Sequence, residues 1–202
     1  MKPEPSHTPL SEEYLQAHTV GALEPLSKSI RLLDYDPEWP LQFEHEANKI
    51  RSVLGDRALR IEHAGSTSVP GLEAKPIIDI VLEVTDSAKE TDYAAPLEAA
   101  GYRLHIREPG WFEHRMFKGT ENAVNLHVFS VGCPEVERML LFRDWLRRSE
   151  SDRELYASAK RTLVQKEWKY TQNYADAKTA VIEEIMARAL VRVNQTTSMQ
   201  SP

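Results

Sequence analysis

Residues 65–79 combine residue types that often do chemistry. The loop 65–68 reads Gly-Ser-Thr-Ser, and Asp79 lies inside the apolar run 77–84. The run follows a proline and is rich in β-branched residues, which predicts a buried strand. A carboxylate inside a buried strand must be paired, hydrogen-bonded or bound to a metal. Asp79 is therefore the first residue whose role needs an explanation.

The loop and the strand together have the chemistry of a phosphate site. Gly65 has no side chain, so backbone N–H groups can approach a phosphate closely, and Ser66, Thr67 and Ser68 add hydroxyl donors. Asp79 can hold a divalent cation, Mg²⁺ or Mn²⁺, that bridges the same phosphates. The alternative is a surface turn followed by a core strand, with one aspartate whose carboxylate is hydrogen-bonded within the protein. The spacing alone leaves both interpretations open.

His127 is the predicted partner of Asp79. Asn125 and His127 share one face of a predicted neighbouring strand, and opposite residues on paired strands stand about 4.5–5.5 Å apart. We therefore predict that Asp79 and His127 are both the catalytic pair and the two metal ligands. An imidazole with a carboxylate suits Mn²⁺ or Zn²⁺ better than Mg²⁺. The alternative is a histidine satisfied within the core. His63, two residues before Gly65, is a further candidate at the mouth of the loop.

Four basic residues are predicted to neutralise the charge of a triphosphate: Lys75, Arg115, Lys160 and Lys178. Lys160 and Lys178 each lie four residues after a tyrosine on a predicted helix, so lysine and tyrosine share a helix face. These faces are interpreted as a basic wall towards the loop. The alternative is that the lysine stems pass packed tyrosines and end in solvent. For Lys75 and Arg115 the alternative is an ordinary solvated cation.

The composition indicates one soluble domain that does not bind nucleic acid. The chain has 202 residues, of which 28% are charged and 41% are hydrophobic. Its formal net charge of −6 argues against general nucleic-acid binding, which usually needs a basic surplus. The single cysteine, Cys133, excludes an internal disulfide. No apolar run approaches the roughly 18 residues of a membrane span, so we expect a cytoplasmic protein without a membrane partner.

The patterning predicts an α+β (mixed α/β) fold: a mixed sheet of about five strands, flanking helices and a helical C-terminal third. Residues 1–27 are predicted to be a flexible arm, residues 28–191 the single domain, and residues 192–202 a disordered tail. Strands are predicted at residues 29–35, 59–62, 77–84, 102–107, 114–118 and 124–129. Helices are predicted at residues 36–54, 87–100, 135–148, 152–168 and 172–191.

The segment 63–80, which reads HAGSTSVPGLEAKPIIDI, resembles the signature of the GrpB (glutamate-rich protein B) family. The resemblance extends over roughly residues 31–189 and includes residues 125–128, residues 142–146 and the two tyrosine–lysine pairs. The family is similar to the nucleotidyltransferase superfamily, whose members carry Gly-Ser, about a dozen residues, and then Asp-x-Asp or Asp-x-Glu on a strand. The resemblance therefore implies a nucleotidyltransferase-like sheet.

The activity that this resemblance implies is metal-dependent transfer of a nucleoside monophosphate from a nucleoside triphosphate to a small-molecule acceptor. In that activity the loop holds the phosphates, Asp79 binds the metal, and His127 is the second ligand or the general base. Val81 departs from the pattern because it occupies the position of the second carboxylate. Glu83 lies too far along the strand to replace it, since four residues span about 13 Å. The alternative is a catalytically degenerate module that binds a nucleotide or another phospho-ligand.

Overall fold

Five strands form one mixed sheet, and helices pack on both of its faces. The computed structural model describes residues 10–27, 29–121 and 123–198. Within these residues the strands are β1 Arg60–Ala64, β2 Ile78–Val84, β3 Tyr102–Glu108, β4 His114–Gly119 and β5 Val124–Ser130. The helices are α1 Glu12–His18, α2 Glu38–Leu54, α3 Ala94–Ala99, α4 Pro134–Arg148, α5 Glu150–Leu163, α6 Thr171–Asp176 and α7 Thr179–Ser198. Single 3₁₀ turns lie at Gly55–Arg57, Ser66–Ser68 and Glu90–Asp92.

The order of the strands places the predicted site strands side by side. The sheet runs β1-β2-β5-β4-β3, and β2 pairs with β5 in parallel while the other neighbours are antiparallel. Asp79 faces Asn125 in the register of β2 with β5, and Val81 faces His127. The structure confirms the predicted α+β class with five strands, flanking helices and a helical C-terminal third.

The two faces of β2 have different surroundings because side chains alternate along a strand. Ile78, Ile80 and Leu82 belong to the main core together with residues of α2 and α3. On the opposite face, Val81 is completely buried in a second cluster with Phe129 of β5 and residues of α4. Asp79 lies on this second face, so it faces the C-terminal helices rather than the main core.

One predicted strand and one predicted helix differ from the structure. Residues 29–35 do not form a strand: Leu33 makes a single antiparallel bridge to Ala74. The ladder cannot extend because Pro76, two residues further on, has no N–H to donate. The helix predicted at residues 87–100 is confined to Ala94–Ala99. Proline fits only the first turn of a helix, and Pro96 therefore sets where this helix can begin.

The C-terminal helices also have different bounds from those predicted. α5 ends at Leu163 instead of residue 168, and the long helix predicted at residues 172–191 is divided into α6 and α7. Lys178 lies in the break between α6 and α7. Within the described residues, no helix has the length and apolar character needed to cross a bilayer.

The ends of the chain contact the sheet more than the predicted arm and tail imply. The helix α1 lies within the predicted arm, yet its Leu15 is buried and its Tyr14 Oη donates a hydrogen bond to Glu108 at 3.1 Å. Val20 N–H donates to the carbonyl of His105 on β3 at 2.9 Å. The backbone of α7 is helical to Ser198, inside the predicted tail 192–202. Residues 1–9 and 199–202, which complete the predicted arm and tail, lie outside the described residues.

Candidate functional site

The loop between β1 and β2 holds its own shape with two of its three hydroxyls. Thr67 Oγ1 donates to the carbonyl of Ile77 at 3.1 Å and lies 3.1 Å from His63 Nε2. Ser68 Oγ donates to the carbonyl of Gly65 at 2.6 Å. Both side chains are buried. The hydroxyls of Thr67 and Ser68, predicted to meet a phosphate, are therefore engaged within the loop. His63 lies behind the loop, where burial lowers its pKa to about 4.

Gly65 lies directly against the Asp79 side chain. Its φ of +67° lies in the left-handed region, which favours glycine. A Cβ built on Gly65 would lie 2.2 Å from Asp79 Oδ2, far inside van der Waals contact. The absence of a side chain was predicted to serve a phosphate. In the structure it allows the aspartate carboxylate to pack against the backbone of the loop.

Asp79 is ionised in a half-buried position. Its Oδ1 accepts a hydrogen bond from Asn125 Nδ2 at 2.9 Å and lies 3.9 Å from His127 Nε2. Burial acts to raise the pKa of Asp79, but the His127 ring, the Asn125 amide and the charge of Lys75 outweigh it and bring the pKa below its ordinary value. The predicted neighbours Asp79 and His127 are thus close together, with Asn125 as the direct hydrogen-bond partner.

Two residues that the sequence analysis did not propose, His114 and Glu108, support His127. His127 Nδ1 lies 3.0 Å from His114 Nε2, and His114 Nδ1 lies 2.8 Å from Glu108 Oε2. His114 and Glu108 are buried. The signal in the sequence was the alternation along β4, which places His114 and Met116 on the same face, and Met116 is opposite His127. That signal is readable only when the pairing of β4 with β5 is known.

The described side chains do not fit a resident divalent cation. They contain no group of three or more histidine, cysteine, aspartate or glutamate residues arranged to hold a metal. Val81 is 0% exposed, and Glu83 accepts a hydrogen bond from Gly132 N–H at 2.9 Å. Asp79 and His127 supply two donors, so an ion such as Mg²⁺ would need its remaining ligands from phosphates and waters, as it ordinarily does. The role of Asp79 and His127 as metal ligands stays a prediction.

Three of the four predicted basic residues surround the loop. Lys160 is 2% exposed, and its Nζ donates to Ser66 Oγ at 3.3 Å and to the carbonyl of Glu73. Lys75 Nζ and Lys178 Nζ lie 5.2 Å and 4.9 Å from the centroid of the Tyr174 ring. Within the part of the chain that the structure describes, none of the three lysines has a carboxylate at salt-bridge distance.

The pKa values of these lysines are depressed by burial and by one another. Burial lowers the pKa of Lys160 to about 7 and that of Lys75 to about 8, and the charge of Lys178 adds to both effects. Burial also lowers the pKa of Lys178, while the charge of Asp79 partly opposes this. Each depressed pKa means that the ammonium form is less stable here than in water. An anion among the three would restore that stability.

Arg115 does not join this group, which corrects its predicted placement. It follows His114 and precedes Met116 on β4, so its side chain is on the other face of the sheet from His127. There Arg115 Nε contacts Glu90 Oε1 at 2.5 Å, and the side chain is buried. Lys118, opposite Asn125 in the register of β4 with β5, is the basic residue of β4 on the site face. Burial lowers the pKa of Lys118 as well.

A cleft with a volume of about 170 Å³ opens beside the loop. Its polar end is lined by Gly65, Ser66, Asp79 and Lys178. The opposite wall is formed by apolar and basic side chains of α4 and α7, among them Met139, Phe142, Arg143 and Ile182. Arg143 is already engaged, because it donates to Glu62 and Asp144 at 2.8 Å each. The cleft therefore combines the Asp79 carboxylate and the Lys178 ammonium group at one end with a largely apolar opposite wall that also carries arginines of α4.

The fold and this site define an α+β protein in which the Gly-Ser loop, the strand aspartate and Lys178 line one cleft, and Lys160 is hydrogen-bonded to Ser66 of that loop. The family model described as "GrpB protein" matches residues 29–188. The chain is 60% identical over 189 residues to UPF0157 protein BH1888 of Halalkalibacterium halodurans, covering 94% of this chain and 97% of that protein. The crystal structure of the conserved protein GrpB from Enterococcus faecalis superimposes with a TM-score of 0.71 at 31% identity, covering 81% of this chain and 99% of that one. The chain belongs to the GrpB family.

A third similarity is to part of a longer protein. The chain is 31% identical over 176 residues to a dephospho-CoA kinase of Mycolicibacterium paratuberculosis. The match covers 74% of this chain but only 43% of that kinase. The similarity therefore concerns less than half of the kinase.

Proposed function

We propose that this protein binds a phosphate-bearing small molecule of the nucleotide type in the cleft beside the loop 65–68. The observation that carries the proposal is a set of three lysines that have no ion pair among the described residues: Lys160, which is buried, and Lys75 and Lys178, which are half-buried. Charged side chains that are removed from water are ordinarily paired, because an unpaired buried charge is unfavourable. A phosphate supplies the negative charge that this site lacks.

The surroundings of the lysines favour an anion over a purely structural role. The three ammonium groups lie at cation–π distance from tyrosine rings, with Nζ 4.9–5.2 Å from the centroid of Tyr174 or Tyr156, and the alternative is that the lysine stems pass packed tyrosines. Such stems normally end in solvent, yet Lys160 is 2% exposed and its Nζ donates to Ser66 in the loop. Asp79 offsets part of the charge of Lys75 and Lys178. Glu73 acts in the same way on Lys160 and Asp176 on Lys178, but Glu73 is paired with Arg161, and within the described residues none of these carboxylates lies at salt-bridge distance from the three lysines.

The cleft extends beyond the polar end that a phosphate would occupy. Its apolar wall, with Met139, Phe142 and Ile182, suits the uncharged part of a larger ligand. One relative carries the name dephospho-CoA kinase, which makes dephospho-CoA a reasonable member of a ligand panel. We therefore expect tighter binding of ATP or dephospho-CoA than of inorganic tripolyphosphate, because only the organic ligands also cover the apolar wall.

Calorimetric titration with tripolyphosphate, ATP and dephospho-CoA tests this function. A hydrogen bond to a charged group contributes about 1.5–3 kcal/mol, so Lys160→Met and Lys178→Met should each weaken binding at least about tenfold. Lys89→Met is the matched control, since Lys89 is exposed and paired with Asp92 outside the cleft. If none of the three compounds binds at millimolar concentration, or if the site variants bind like Lys89→Met, the proposal is wrong.

Nucleotidyl transfer is a second candidate, favoured by the ionised Asp79 and by His127 Nε2 at 3.9 Å from it. In that reaction an acceptor oxygen bonds to the α-phosphorus of a nucleoside triphosphate, the bond to the β-phosphate oxygen breaks, and pyrophosphate leaves. His127 would take the proton of the acceptor hydroxyl. The test is pyrophosphate release from triphosphates mixed with a metabolite extract and Mg²⁺ or Mn²⁺. Release that Asp79→Asn abolishes supports transfer, whereas binding without release favours the binding module.

A further inference from the structure

A chain of hydrogen bonds leads from His127 away from the cleft towards α1. His127 Nδ1 lies 3.0 Å from His114 Nε2, and His114 Nδ1 lies 2.8 Å from Glu108 Oε2. Tyr14 Oη donates to the other carboxylate oxygen, Glu108 Oε1, at 3.1 Å. The two imidazoles are nearly parallel, with an interplanar angle of 17° and centroids 5.2 Å apart. This is the separation of two rings that meet edge to edge, with an N–H of one directed at a nitrogen of the other.

The direction of each hydrogen bond follows from what the groups can donate. An ionised carboxylate only accepts, so Glu108 takes hydrogens from both the Tyr14 hydroxyl and His114 Nδ1. A neutral imidazole has one N–H, and His114 has used it, which leaves a lone pair on His114 Nε2. The hydrogen between the two rings therefore belongs to His127 Nδ1. The neutral His127 ring then has no proton on Nε2.

The surroundings of Nε2 do not fix a proton there in the neutral ring, and it is the protonated ring that lowers the pKa of Asp79. The carboxylate in front of it is Asp79, whose Oδ1 lies 3.9 Å away, beyond hydrogen-bond length. That same oxygen already accepts from Asn125 Nδ2 at 2.9 Å. Asp79 is thus too far away to fix a proton on Nε2, whereas His114 is close enough to fix one on Nδ1.

We propose that Glu108 and His114 are positioning residues: they hold the neutral His127 ring in the Nδ1–H tautomer and direct a bare Nε2 at Asp79 and the loop. A bare imidazole nitrogen in that place accepts a hydrogen bond from a hydroxyl of a ligand whose phosphate lies among the lysines. This role towards a ligand rests on the proposed function. The tautomer itself does not, because it is set within the free protein.

Nuclear magnetic resonance of protein with ¹⁵N-labelled histidine rings tests the proposal without any ligand. At pH 8.5, about two units above the reference pKa of histidine, long-range ¹H–¹⁵N spectra of the wild type should show a protonated Nδ1 and a bare Nε2 for His127. In Glu108→Gln and His114→Phe the hydrogen bonds no longer require His127 Nδ1 to be the donor. We expect His127 to populate the Nε2–H tautomer in both variants.

Two controls separate positioning from general disturbance. His105→Gln changes a histidine on β3 that takes no part in this chain of hydrogen bonds, and it should leave the His127 tautomer unchanged. The His63 signals, which report the contact of its Nε2 with Thr67 at 3.1 Å, should stay in place if a variant is folded. A wild-type His127 with its proton on Nε2, or one tautomer in wild type and both chain variants, would overturn the proposal. Loss of phosphate binding would instead affect only the proposed function.

Discussion

Gly65 and Asp79 are packed so closely that a Cβ on Gly65 would lie 2.2 Å from Asp79 Oδ2. The loop can therefore lie this close to the following strand only because residue 65 has no Cβ. This contact keeps the Asp79 carboxylate at the polar end of the cleft, next to Ser66 and Lys178. It also gives Gly65→Ala a consequence that the conformation of the glycine alone does not.

Gly65→Ala should destabilise the fold by more than the roughly 1–2 kcal/mol of a left-handed alanine, both because its Cβ would meet Asp79 and because φ of +67° with ψ of −172° is a conformation almost confined to glycine. Gly71 provides the control, because its φ is +75° and a Cβ there would meet no atom within 4 Å. In urea unfolding, Gly71→Ala should show the conformational effect alone, and Gly65→Ala should lose at least about 1 kcal/mol more. Equal losses in the two variants would show that Asp79 moves aside without difficulty.

Val81→Asp should destabilise the protein instead of completing a metal site. Val81 is fully buried in the apolar cluster with Phe129, Val136 and Leu140 beneath α4. An unpaired buried polar or charged group costs roughly 1–3 kcal/mol or more. The measurement is urea unfolding with and without Mg²⁺, with Val81→Thr as the control of nearly the same volume. A Val81→Asp protein that is as stable as wild type and gains Mg²⁺ affinity would contradict this.

The sequence was sufficient for the parts of the site that depend on local pattern. The apolar run predicted β2, and the tyrosine–lysine spacing predicted helix faces that do meet the loop. Arg115 was misplaced because a shift of one position along a strand moves a side chain to the opposite face. The partnership of His114 with Glu108 depends on the register of β3 with β4, in which these two residues are opposite and an irregularity lies between Leu104 and Ile106. Such registers result from tertiary packing and cannot be read from spacing.

Stability should rise with pH above neutrality because of Lys160. Its pKa is lowered to about 7 in the folded protein, whereas the unfolded chain has the ordinary value of 10.5. Between these two values the unfolded state binds more protons, so raising the pH favours the folded state by up to about 1.4 kcal/mol per pH unit for one group. The free energy of unfolding should therefore increase from pH 7.5 to pH 9. Lys160→Met should reduce this slope most strongly near pH 7.5, and Lys75, with a pKa of about 8, should account for part of the slope that remains. An unchanged slope would place its origin elsewhere.

Ligand binding should take up protons at pH 8 and should weaken as the pH rises from 7 to 9. In the free protein the pKa of Lys75 is about 8 and that of Lys160 about 7, so both are partly neutral at pH 8. A phosphate between them favours the ammonium forms and raises both pKa values, which draws protons from the buffer. At pH 6 both lysines are already charged, and uptake should approach zero. The measurement is calorimetry with tripolyphosphate in two buffers of different ionisation enthalpy.

The double variant Lys75→Arg with Lys160→Arg isolates the contribution of the lysines to this uptake. Arginine stays protonated throughout this pH range, so the variant can still meet the phosphate but has no proton to gain. The ligand's own protonation is common to both proteins and cancels in the difference between them. We expect wild type to take up about one proton more than the variant at pH 8. Equal uptake in the two proteins would show that the phosphate does not lie among these lysines, even where binding itself is observed.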